Sequence, residues 1–380
     1  MVDFSLSTRQ QEIKEKYRDF VQKWVVPNRM KYDESCEFPW EIVKAAYKDG
    51  LMNGPIPKHL GGNGFGIMDC ALTSEELGAG CIGIGICIDA NTLALTPLLL
   101  VGSEEQQKKF FGLIREKQGV AAYCLTEPNA GSDVASISST AILKGDKYIL
   151  NGHKRFITNG EVATFHTVFA LTNPEKGARS LTPFIVPTDL PGIEIVSKME
   201  KMGQRASVQN EIKYHDVEVP VENRLGGEGR GFIVAMKTFD RTRTGVAALS
   251  LGAARTAYEI SRDWAKKRIQ FGKPIAANQA IAFMLADMAT EIETARMLTW
   301  RAAWAYDTGQ KDISILSAMS KMYASDVAMK VATNAVQVMA GEGYSKDYPV
   351  EKIMRDVKLC QIYEGTNQVQ RLVISKGIMK

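Results

Sequence analysis

Near the end of the chain one carboxylate, Glu364, sits between an aromatic ring and a glycine in the run Gln361-Ile362-Tyr363-Glu364-Gly365-Thr366-Asn367-Gln368. A neighbouring ring can withdraw water from a carboxyl group and raise its pKa, and a glycine lets the backbone approach a ligand closely. A base of that kind suits removal of a weakly acidic C–H proton. The same residues also fit a solvated loop glutamate between two helices, and the run alone does not separate the two readings. A second segment, Tyr123-Cys124-Leu125-Thr126-Glu127-Pro128-Asn129-Ala130-Gly131-Ser132-Asp133, breaks from a short apolar run into small and hydroxyl residues. Its backbone can come near something flat or phosphorylated. A third, Lys154-Arg155-Phe156-Ile157-Thr158-Asn159-Gly160, reads by itself as an ordinary strand and turn.

Together with Phe239-Asp240-Arg241-Thr242-Arg243, Arg268-Ile269-Gln270-Phe271-Gly272-Lys273-Pro274 and the stretch from Gln337 to Gly343, these segments resemble the acyl-CoA dehydrogenase family in order and spacing, over essentially the whole chain. The short- and medium-chain branch is the nearest in type, with alicyclic acyl-CoA dehydrogenases as a specific variant. The resemblance implies FAD-dependent α,β-dehydrogenation of an acyl-CoA thioester to the 2-enoyl-CoA. Glu364 would take the α-proton and the flavin N5 atom would accept the β-hydrogen as hydride. The thioester carbonyl would be polarised by the base residue's own N–H and a flavin hydroxyl. Some branches carry the base on the helix that bears Thr242, a residue that does not ionise usefully here.

By the same resemblance Tyr123, Leu125, Thr126, Gly131 and Ser132 would line one side of the flavin, and Phe156, Ile157 and Thr158 the other. Arg268 and Phe271 would meet its pyrophosphate and adenine end, with Gln337 and Gly341 supplied by a neighbouring subunit, and Thr366 and Gln368 adding contacts. Ala340 stands where many members have a first glycine of a pair. Ser132, Phe239, Asp240, Arg243, Tyr363 and Gly365 match positions near the thioester ligand, although Asp240 and Arg243 also have the i,i+3 spacing of a helix-face ion pair. Within Ile86-Cys87-Ile88-Asp89-Ala90-Asn91-Thr92 an acid interrupts an apolar helical run that resembles the wall of the acyl pocket. An unpaired buried carboxylate is costly. Asp89 therefore either faces the pocket and selects a short, polar or cyclic acyl group, or is paired with an arginine or with backbone.

A chain of 380 residues, 45% hydrophobic and 24% charged, can bury a large core. Its formal net charge of +4 is spread over mixed-sign helices, unlike the basic stripe of a nucleic-acid binder. Cys36, Cys70, Cys81, Cys87, Cys124 and Cys360 show no metal-binding spacing, which fits free thiols in a cytoplasmic protein. The residues from Met1 to Ser5 lack the pattern of a signal or transit peptide, and no apolar run is expected to span a bilayer.

The fold class expected is α+β. Residues 1–118 read as a helical domain, opening on Ile13, Tyr17, Phe20, Val21 and Trp24 at helical spacing, with Pro27 as a kink, a break or a new start. Ser103-Glu104-Glu105-Gln106 reads as a helix cap. Residues 119–231 turn to short runs between Gly, Pro and Asn, a β domain. Residues 232–380 return to long helical patterns. The resemblance supplies the topology that periodicity does not: a helical domain, a β-barrel and a four-helix bundle. It also implies acyl-CoA as substrate, electron-transfer flavoprotein as acceptor and a homo-oligomer, usually a tetramer. An acyl-CoA oxidase and a CoA-binding scaffold without catalysis are the competing functions. The modest length argues against the first, and the retained Glu364 against the second.

Overall fold

A computed structural model describes residues 5–379. The expectations for Met1 to Phe4, and the outer limits placed at 1 and 380, lie outside the described residues. The chain opens with helix α1 (Thr8–Phe20), started by a capping box in which Ser7 and Gln10 satisfy each other's backbone N–H. The chain stays helical past Pro27 by changing pitch. A wider turn over Val21–Val25 and a tight one over Val26–Asn28 place the proline at a helix start, where its missing N–H costs nothing, before α2 (Arg29–Ser35).

Helices α3 (Trp40–Lys48), α4 (Ile67–Gly80), α5 (Ile82–Val101) and α6 (Glu104–Glu116) complete this part, the last with Ser103 and Gln106 as its capping box. Among the described residues, helix α5 alone is long and apolar enough to cross a membrane by length and composition, and it is mostly buried within the fold. Its place in the fold explains the composition. Ile84, Cys87, Ala94 and Leu98 are wholly buried between α4 and the sheet, so α5 is apolar all round because it lies in the core.

Strands β1 (Val120–Cys124), β2 (Thr140–Lys144), β3 (Lys147–Thr158), β4 (Ala163–Leu171), β5 (Leu181–Pro187), β6 (Ile193–Lys198) and β7 (Gln209–Pro220) form one curved sheet, ordered β1-β4-β2-β3-β7-β6 with β5 paired to β4. Tyr148, Val168, Phe184, Ile212 and Tyr214 belong to the buried apolar cluster of this sheet. Helix α7 (Gly231–Lys267) follows, then a small hairpin of β8 (Ile269–Gln270) and β9 (Lys273–Pro274). Helices α8 (Gln279–Asp307) and α9 (Ile313–Met339) pack along α7, and α10 (Gly341–Tyr344), α11 (Val350–Cys360) and α12 (Asn367–Ile378) close the bundle. The small residues Ala254, Ala257, Ala295, Ala328 and Ala332 let these helices approach closely.

The helical parts are tied together by charge as well as by apolar surface. The Asp307 carboxylate at the end of α8 accepts from the N–H groups of Ile67 and Met68 at 2.7 and 2.9 Å, so it caps α4 from another part of the chain. Glu75 and Glu76 of α4, both buried, are met by Arg255 of α7 and Arg296 of α8. These contacts fix α4 against α7, and the two helices share a wall of the cavity described below.

Candidate active site

Helices α4, α5 and α7, the ends of β1 and β3, and the turn between α11 and α12 surround a cavity of about 740 Å³. Glu364 lies in that turn with φ of 53°, a left-handed conformation that non-glycine residues rarely adopt, and Gly365 continues it at 87°. A Cβ on Gly365 would lie 2.7 Å from the Gln370 Nε2, which donates to the carbonyls of Glu364 and Gly365 at 3.1 and 2.8 Å. Lys321 of α9, wholly buried, donates to the Gly365 carbonyl at 2.8 Å and to Asn367 Oδ1 at 3.0 Å. A strained turn held by this many donors reads as a site where geometry is fixed for a purpose.

Burial raises the Glu364 carboxyl to about 7, against the hydrogen bond from the Thr242 hydroxyl and the charge of Arg243. The Thr242 Oγ1 donates to Glu364 Oε2 at 2.6 Å. Burial likewise raises Asp89 to about 6, partly offset by Ser74, whose Oγ is 3.2 Å from both Asp89 carboxyl oxygens. Asp89 lines the cavity, and its hydrogen-bond partner among the described residues is this serine, in place of the arginine or backbone of the alternative reading. Two carboxyl groups with pKa values near neutrality thus face one cavity.

Beside them, Tyr123, Leu125, Thr126, Gly131, Ser132, Phe156, Ile157, Thr158, Phe239, Arg243, Tyr363, Gly365 and Thr366 also line the cavity. Asp240 lies outside its wall and accepts from Arg243 Nη1 at 3.0 Å and Ser314 Oγ at 2.8 Å, so the helix-face ion pair is present. Arg268, Phe271, Gln337, Gly341 and Gln368 also lie outside it and are exposed on the single chain, with Phe271 95% exposed at the tip of the β8–β9 hairpin. Sequence reasoning passed over Lys321, Ser74 and the hydroxyl of Thr242 as a donor. Only Lys321 had a usable signal, since it falls on the stripe Ser317, Lys321, Ala324, Ala328 that α9 buries.

The comparisons with known proteins agree with this architecture. Acyl-CoA dehydrogenase family models match the N-terminal domain over residues 7–116, the middle domain over 122–217 and the C-terminal domain over 229–379. The chain therefore belongs to the acyl-CoA dehydrogenase family. A short-chain specific acyl-CoA dehydrogenase from Clostridium acetobutylicum is 41% identical, with all of both chains covered. A cyclohex-1-ene-1-carbonyl-CoA dehydrogenase from Geobacter metallireducens is 40% identical over 95% of this chain and 96% of its own. Butyryl-CoA dehydrogenase from Megasphaera elsdenii superimposes with a TM-score of 0.96 at 39% identity, covering both chains fully. A chain from a structure of the electron transferring flavoprotein of Acidaminococcus fermentans does so with a TM-score of 0.97 at 43% identity, again with full coverage.

The protein is an oxidoreductase of the acyl-CoA dehydrogenase class, and it binds FAD. Its cavity fits such a group. Among the described residues, the Tyr123 hydroxyl is buried without a partner and a Cβ on Gly131 would meet nothing within 4 Å, while Phe156 is 57% exposed beside the cavity. These are an unused hydrogen-bonding group, an open ring face and open backbone, as a flat polar heterocycle requires.

Proposed function

We propose that Glu364 is the base that removes the α-proton of an acyl-CoA whose acyl group is short to medium in length or alicyclic. The observation that carries this reading is the carboxyl itself: it faces the cavity, is raised to about 7 by burial, and holds one fixed donor, the Thr242 hydroxyl at 2.6 Å. A base whose pKa lies near the working pH balances availability against basicity. Thr242 orients one carboxyl oxygen and leaves the other for the substrate proton. The Glu364 N–H has no acceptor among the described residues, so it is available to a thioester carbonyl and would favour the charge that develops there.

FAD, when bound, supplies the two-electron acceptor. Tyr123, Leu125, Thr126, Gly131, Ser132, Phe156, Ile157, Thr158 and Thr366 are the residues we assign to holding it. Arg243, buried beside Phe239 and paired to Asp240 on the same helix, donates from Nε to the Glu364 carbonyl at 3.4 Å, which ties the turn of the base to the helix that carries Thr242. Asp89 is assigned to selection of the acyl group, a reading supported by its place on the cavity wall and by the two relatives that are named for short-chain and cyclohexene acyl substrates. Electron-transfer flavoprotein is the acceptor we assign, in line with the structural likeness to the chain of the Acidaminococcus fermentans study.

The test is an anaerobic absorbance titration of the FAD-loaded protein with butyryl-, octanoyl-, glutaryl- and cyclohexanecarbonyl-CoA, alongside Glu364→Gln. Bleaching of the flavin band by a short or cyclic acyl-CoA, lost in the variant, is the expected result. Bleaching that survives the substitution would remove Glu364 as the base. Bleaching by glutaryl-CoA alone would remove the proposed acyl class.

A further inference from the structure

Gly245 lies in the interior of α7, a helix of 37 residues, where glycine weakens the helix relative to alanine. The other interior glycine of this helix has a packing reason. A Cβ on Gly252 would lie 1.9 Å from the Glu75 carbonyl oxygen of α4, which leaves no room for a side chain. Gly245 meets no such backbone. A Cβ there would approach Asp89 Oδ2 at 3.3 Å and Ser74 Oγ at 3.6 Å. All three residues belong to the cavity wall, so the missing side chain widens the cavity where α4, α5 and α7 converge.

Ser74 acts on the same space. Its hydroxyl, wholly buried, lies 3.2 Å from both Asp89 oxygens and so holds the carboxyl at the edge of the gap beside Gly245. Cys70, Ile86 and Val246 supply the neighbouring wall, which suits hydrocarbon. Asp89 and Glu364 line the same cavity, so the gap opens into the space that the base faces. We infer that Gly245 and Ser74 are specificity-determining and positioning residues that form an alcove for acyl groups branched or cyclic close to the reacting carbons. The inference rests on the reading of this cavity as the acyl site.

The test measures kcat/KM of the FAD-loaded enzyme for butyryl-CoA, 3-methylbutyryl-CoA and cyclohexanecarbonyl-CoA, with Gly245→Ala and Ser74→Ala. Alanine is the better helix former, so Gly245→Ala is expected to fold. One added carbon in a pocket is worth roughly tenfold or more in discrimination, and the ratio of broad to straight acyl turnover is expected to fall by that much in Gly245→Ala. In Ser74→Ala the same ratio falls through a higher KM for the broad substrates. Equal losses for all three acyl groups in both variants would mark a structural role and overturn the inference. So would unchanged ratios, or a wild-type enzyme that oxidises butyryl-CoA alone, and either would leave the dehydrogenase reading standing. Failure of the wild type to oxidise any of the three would overturn the inference, and failure with octanoyl-CoA as well would overturn the proposed function too.

Discussion

Burial sets the two carboxyl groups of the cavity, and the direction of each shift decides what pH does to them. Glu364 goes from an ordinary 4.5 to about 7 on folding, so between those values the folded state binds the extra proton. The stability it brings is therefore present below the lower value and lost as pH rises through the upper one. Glu364→Gln is expected to raise stability at pH 8 by about 3 kcal/mol and to change it little at pH 4, measured by thermal unfolding at both. Activity moves the other way, because the base works only when deprotonated: kcat/KM should fall by about tenfold per pH unit below the Glu364 pKa. Asp89 also raises Glu364 by its charge, so Asp89→Asn should move that acid limb to lower pH, as read from the pH profile. Glu364 and Asp89 were legible in the sequence because each is an acid in apolar or aromatic company. Ser74 and Thr242 were not, since a hydroxyl in a helix carries no mark of what it will face.

A buried ion pair positions the segment after β1. Lys154 of β3, wholly buried, donates to the Leu125 carbonyl at 3.1 Å and to Glu127 Oε1 at 2.8 Å. Glu127 in turn accepts from the N–H and hydroxyl groups of Ser138 and Ser139. Removing one partner of such a pair strands a buried charge and costs about 3–5 kcal/mol. Lys154→Met should therefore lower the unfolding midpoint and, by loosening Leu125 and Thr126, weaken FAD retention, both measurable on one sample by thermal melting and flavin release. The sequence marked the segments themselves through their small residues, yet Lys154 and Glu127 are far apart in the chain, and their pairing depends on β3 meeting the end of β1. Helix α5 is ambiguous in the sequence for a related reason. Its composition is that of a helix with no wet face, and only its packing tells core from membrane.

Across the whole molecule, the change from helices to strands and back could be read from the hydrophobic period, while the curvature of the sheet and the clamp of Asp307 on α4 could not. Asp307→Ala should cost about 1–2 kcal/mol, seen in thermal unfolding, because it removes a cap from two N–H groups. Arg268, Phe271, Gln337 and Gly341 are exposed on the single chain, and Phe271 at 95% is a large apolar surface. Their assignment to a shared FAD site proposes that a second copy of the chain covers them. Flavin retention should then fall with the oligomer on dilution, and Phe271→Ala should weaken both. A stable monomer that keeps its FAD would contradict that assignment.

The most direct test of Glu364 as the base is exchange of the substrate's α-hydrogen with deuterated water, followed by mass spectrometry under anaerobic conditions with butyryl-CoA. The wild-type enzyme is expected to exchange it, and Glu364→Gln, folded and FAD-loaded, is expected not to. Exchange at the wild-type rate in the variant would contradict the account and place the base elsewhere in the cavity, with Asp89 the group to substitute next.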